Sequence, residues 1–63
     1  MGQRIRERRV EVGLSQAAFA RLLDIAQTQV HRYEKGERTP RGARLQKMAR
    51  ILKCKVSDLR DED

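Results

Sequence analysis

The 63-residue chain has little of what small domains use to staple themselves together. A single cysteine, Cys54, excludes an internal disulfide, the usual device of small secreted domains. That cysteine and the one histidine, His31, fall short of the about four ligands a structural zinc site needs, so no metal is expected. Cys54 reads instead as a buried small hydrophobe. The one proline is Pro40, and no alternating β-branched run exists, so strands are not expected. There is no glycine-rich phosphate loop. Ser15, His31 and a carboxylate are not placed as a triad, so neither catalytic residues nor a cofactor is expected. No apolar run follows the opening MGQRIRERR, and none approaches the roughly 20 residues of a membrane span, which predicts a cytoplasmic protein.

What remains is charge and helical periodicity. Fifteen Lys and Arg against nine Asp and Glu give a net charge of +6, which attracts nucleic acid, anionic membrane or acidic protein. Residues 40–55 carry six positive charges and no negative one, whereas the tail from residue 60 to 63 is acidic and expected to fray. Leu, Ile, Val and Phe number fourteen, enough for one small, marginally stable core spanning residues 1–63 as a single domain.

Five short helices are predicted. Ile5, Arg9 and Val12 share a helical spacing over residues 3–12, and Gly13 is a natural stop. Ser15 suits the N-cap of a second helix, with Phe19, Ala20, Leu22 and Leu23 on its apolar face. After the short turn Asp24-Ile25-Ala26, a third helix over about 27–34 offers Val30 and Tyr33 inward and ends at Lys35-Gly36. Pro40 suits the first turn of a fourth helix behind a Thr39 cap. Leu45, Met48, Ala49 and Leu52 form its apolar stripe, and Val56 and Leu59 close a fifth helix.

Two helices joined by a three-residue turn over about residues 16–35 match the helix-turn-helix unit. With GLSQ (13–16), Phe19-Ala20, YEKG (33–36), Pro40 and the Met48-Ala49…Leu52…Leu59 pattern, the chain resembles the DNA-binding domains of lambda-type repressors and Cro proteins from about Ile5 to Leu59. The resemblance implies a compact all-α, five-helix fold and sequence-specific double-stranded DNA binding by a transcriptional regulator, probing the major groove with the third helix. It further implies a homodimer on a pseudo-palindromic operator, weakly joined through the Cys54–Leu59 region, and a nucleoid location.

Carried onto this sequence, the resemblance puts Gln27, Thr28 and Arg32 on the base-reading face, with His31 at its edge. Gln suits adenine, Arg suits guanine, and a Thr methyl suits the thymine methyl. Gln16, at the start of the second helix, is expected to clamp a phosphate and to brace Gln27. Lys35, Arg38, Arg41 and the amide of Gly42 form a second phosphate clamp, with Arg44 a lesser candidate. Arg9 is expected to pair with Glu34 and also to touch phosphate, whereas Gln29 should flank the face. Lys47, Arg50, Lys53 and Lys55 supply general field.

The chain departs from the family pattern at several points. Asp24 stands where Gly is usual in the turn, Ala26 where Ser or Thr caps, Lys53 where Gly ends the fourth helix, and Lys55 where Ser caps. Arg8 and Gly42 occupy commonly apolar positions. Two biological settings other than a phage repressor fit the same features, a restriction-modification controller and an antitoxin. A different class also fits the charge: a basic helical module whose residues 41–55 bind a protein partner or an anionic membrane.

Overall fold

The computed structural model describes residues 1–60, which form five α-helices and no strand. They are α1 (Gly2–Glu11), α2 (Gln16–Leu23), α3 (Gln27–Lys35), α4 (Gly42–Ile51) and α5 (Val56–Leu59). The acidic residues Asp61, Glu62 and Asp63, expected to fray, lie outside the described residues.

The first four helices stop in the same way. In each, the amide of a residue in the left-handed region and the amide that follows it reach back to two carbonyls of the last turn, the Schellman arrangement. Gly13 donates to Val10 O and Leu14 to Arg9 O; Asp24 donates to Arg21 O and Ile25 to Ala20 O. Gly36 donates to Tyr33 O and Glu37 to Arg32 O; Lys53 donates to Arg50 O and Cys54 to Ala49 O. Asp24 and Lys53 hold φ of 59° and 58° despite their side chains. The hydrophobic contact that accompanies this motif comes from Leu14, Ile25 and Cys54, all packed against the core. Burial raises the Cys54 thiol above its ordinary pKa, and nearby Arg8 pulls it partly back.

Helix starts are less uniform. Ser15 caps α2, its hydroxyl accepting from Ala18 N–H at 3.0 Å. Ala26 gives α3 no side-chain cap, as its methyl dictates. At α5 the missing Ser is half replaced, because the Asp58 carboxylate accepts from the Lys55 amide at 3.0 Å.

The start of α4 corrects the sequence expectation. Arg41, not Thr39, is the N-cap residue, without a side-chain hydrogen bond, and the helix begins at Gly42, beyond Pro40. Pro40 is buried, so its ring serves packing rather than the first turn. Gly42 turns the chain into α4 at a φ of 53°, and a Cβ there would meet open space. Backbone conformation, not room, therefore favours glycine over the family's apolar residue.

The core sits where the helices meet. Ile5, Phe19, Val30, Met48, Leu52 and Leu59 are fully buried, with Ala20, Leu23, Tyr33, Leu45 and Ala49 nearly so. α3 packs on α1 and α2, α2 also on α4, and α5 closes the far side against α1 and α4. Leu22, expected on the inner face of α2, is half exposed, because Phe19, Ala20 and Leu23 define the inward arc and Leu22 falls beyond its edge.

Arg8 explains its own departure from the pattern. Its guanidinium donates to the carbonyls of Leu52 at 2.8 Å and Lys53 at 3.0 Å and pairs with Glu11 at 3.0 Å, binding the end of α4 to α1. At the other end of α1, Gly2 lies against α3 so closely that a Cβ would collide with the backbone carbonyl oxygens of Tyr33 and Glu34.

Two stability measurements check this geometry. Gly2→Ala, which in an open helix would help, should here lower stability by about 1–3 kcal/mol because backbone must move. Lys53→Gly should raise stability by about 1 kcal/mol by relieving the left-handed side chain. Urea unfolding monitored by circular dichroism reads both signs.

Candidate nucleic-acid interface

The interface is organised around one carboxylate. Glu34, in the last turn of α3, has a side chain only 3% exposed, against Arg9 of α1 at 10%. Arg9 donates to both carboxylate oxygens, through Nε to Oε2 and through Nη2 to Oε1 at 3.1 Å, and its Nη1 donates to Leu14 O at 2.8 Å. Gln16 of α2 donates its Nε2 to Glu34 Oε1 at 3.0 Å. Removing charge from water costs several kcal/mol per ion, and only such close pairing and hydrogen bonding offsets it. The hub fixes α3 against α1 and α2 at once.

This arrangement bears on two expectations. The Gln16 amide is held by Glu34 rather than spent on bracing Gln27. Nε, Nη1 and Nη2 of Arg9 each make one bond inside the chain, and the expected pairing with Glu34 is among them. Gln29 is also not a flanking surface residue: it is half buried, and its amide oxygen is buried without a hydrogen-bond partner.

With Val30 and Tyr33 turned inward, α3 presents Gln27, Thr28, His31, Arg32 and Lys35, all exposed. At 100° per residue these five occupy one continuous arc. Uncharged Gln27 and Thr28 are at its N-terminal end, and the cations Arg32 and Lys35 at its C-terminal end. An α-helix about 10–12 Å across fits the major groove, about 12 Å wide.

Beyond α3, Lys35 Nζ lies 3.9 Å from the Glu37 carboxylate, and Arg38, Arg41 and Gly42 are exposed. A cleft opens here, walled by Tyr33, Arg38, Thr39, Pro40, Arg41 and Arg44. Arg44, ranked low from sequence, sits in it with Nη1 donating to Tyr33 Oη at 3.1 Å. Its signal was only a positive charge near a tyrosine eleven positions earlier, too distant for helical spacing to reveal.

Elsewhere the stripe of Leu45, Met48 and Leu52 is consumed by the core, leaving the basic residues of 41–55 without an apolar face for a membrane or partner helix. No helix among the described residues is long and apolar enough to cross a membrane. Within the region expected to dimerise, Leu59 is buried, Cys54 and Val56 are half buried, and Lys55, Ser57 and Asp58 are exposed.

Five helices with a tight α2–α3 turn and a solvent-facing polar α3 define a helix-turn-helix domain. The chain belongs to the helix-turn-helix family, whose model matches residues 5–59. It is 40% identical over 57 residues to an HTH-type transcriptional regulator of Sinorhizobium medicae, covering 90% of this chain and 41% of that one. It is 32% identical over 54 residues to repressor protein C2 of Salmonella phage P22, covering 86% of this chain and 25% of that one. The chain thus spans less than half the length of these relatives.

Among solved structures, it is similar to the P22 c2 repressor in complex with a synthetic operator, with a TM-score of 0.89 and 29% identity over 98% of this chain and 94% of that one. It is also similar to the restriction-modification controller C.AhdI from Aeromonas hydrophila, with a TM-score of 0.83 and 34% identity over 92% and 88% of the two chains.

The Glu34 hub yields a direct test. Glu34→Ala leaves the Arg9 guanidinium buried without its counter-charge and should cost about 3–5 kcal/mol. In a domain of this size that removes most of the stability. Thermal unfolding checks it, and a melting temperature equal to the parent's would show that the pair is dispensable.

Proposed function

We propose that this domain binds double-stranded DNA sequence-specifically as the recognition module of a transcriptional regulator, most simply a repressor, acting as a homodimer on a pseudo-palindromic operator. The observation that carries this reading is the exposed arc of α3, held from behind by Glu34 and followed by the exposed basic residues Arg38 and Arg41. Similarity to the operator-bound P22 c2 repressor and to the biofilm master regulator SinR in complex with DNA supports it.

In this reading Gln27 and Thr28 read base edges, Arg32 reads guanine, and His31 reaches the edge of the same groove. Gln16, whose Nε2 is oriented by Glu34, clamps one phosphate beside the α2 N-terminus, and Arg9 supports that contact from behind. Lys35, Arg38, Arg41 and the Gly42 amide clamp the backbone on the other side. Two copies joined through the Cys54–Leu59 region would place their α3 helices on half-sites roughly 10 base pairs apart. The activity is binding, without catalysis or cofactor, and belongs to the cytoplasm and its nucleoid. Likeness to C.AhdI favours a second setting for the same DNA site, the control of restriction-modification genes.

Selection from a random duplex pool tests the proposal. A single enriched, two-fold symmetric sequence is expected, and a pool without enrichment would refute base reading. Gln27→Ala and Thr28→Ala should each change the preferred sequence, costing about 1–3 kcal/mol on the parent site. Arg41→Ala should weaken all sequences alike and make the salt dependence shallower. Binding to anionic vesicles instead of duplex would favour the basic-module alternative.

A further inference from the structure

The cleft between the end of α3 and the start of α4 holds a contact that the proposed function leaves unused. Arg44, in the first turn of α4, is exposed, and its Nη1 donates to Tyr33 Oη at 3.1 Å, while the Tyr33 ring is only 5% exposed. Tyr33 thus offers the guanidinium a single fixed acceptor on a core-anchored ring. No carboxylate lines this cleft, although Asp24 lines the neighbouring one with Arg44 and Lys47. Arg38 and Arg41 line the same cleft. A guanidinium has five N–H donors in a rigid fork, and the Tyr33 bond uses one. The remaining donors match two oxygens of a phosphate.

We infer that Arg44, held by the phenol of Tyr33, is a further DNA-phosphate ligand, and that Tyr33 is its positioning residue. The inference rests on the DNA-binding reading above. An exposed arginine normally loses much rotamer freedom on making one contact. Tyr33 removes part of that loss in advance, because one end of the fork is already fixed before DNA arrives. Lys47, one turn further along α4 and also exposed, has no such tether among the described residues and acts through the field alone.

The test compares Arg44→Ala, Lys47→Ala, Tyr33→Phe and the Tyr33→Phe/Arg44→Ala double variant, with Arg41→Ala as reference. Binding to a random-sequence duplex and to the selected operator is measured across a range of potassium chloride concentrations. Arg44→Ala should lower affinity about tenfold at low salt for both duplexes, as loss of a charge-assisted hydrogen bond implies. It should also make the slope of log K against log salt shallower by about 0.9. Lys47→Ala should change the slope by clearly less. Tyr33→Phe should weaken binding in the parent but not in the Arg44→Ala background.

Three results would overturn the inference: Arg44→Ala and Lys47→Ala indistinguishable in slope, a lower melting temperature in Arg44→Ala with the salt slope unchanged, or equal effects of Tyr33→Phe in both backgrounds. Failure of the DNA-binding reading looks different. In that case the parent itself shows no salt-dependent duplex binding, and Arg41→Ala has nothing to lose.

Discussion

The fold depends on a carboxylate that has given up its water. Glu34 sits where α1, α2 and α3 converge, and the Arg9 guanidinium and the Gln16 amide compensate its burial. Because both donors come from other helices, the orientation of α3 and the satisfaction of this charge are the same condition. A rotation that moved the outward arc of α3 would break at least one of these bonds in a medium where an unpaired charge is costly. Rigidity at the reading surface therefore comes from behind it.

The remaining elements hold this hub together with little core. Eleven apolar residues form the buried centre, and backbone motifs do much of the rest. Four helices stop by the same two-amide return, and Arg8 ties α1 to the end of α4 across 44 positions of sequence. Such short helices are marginal alone, so each needs its ends satisfied and its face covered.

Much of this was legible in the sequence, for identifiable reasons. Helix positions follow from local signals: Ser15 before an apolar-periodic run, Gly13 and Gly36 just beyond helix ends, and the 45–48–49–52 stripe. Glu34 and Arg9 were found through the family pattern. The misreadings concern choices that depend on distant partners. Pro40 was free to open α4 by local rules, but packing buries it and shifts the helix start to Gly42. Leu22 has the right hydrophobicity but lies past the edge of the inward arc. The bonds from Gln16 to Glu34, from Arg8 to Leu52 and from Arg44 to Tyr33 join residues eleven or more positions apart. No periodicity connects such residues.

The left-handed side chains at Asp24 and Lys53 and the uncapped starts of α3 and α4 have a joint consequence. Each withholds stability that a Gly or a Ser would supply. In a 63-residue domain the unfolded population is then sensitive to anything that binds only the folded form. If DNA is that ligand, as proposed, its occupancy and the foldedness of the chain are one linked equilibrium, in which unbound copies open more often than bound ones. Under the DNA-binding reading proposed above, the molecules that are not on DNA are the ones most exposed to proteolysis.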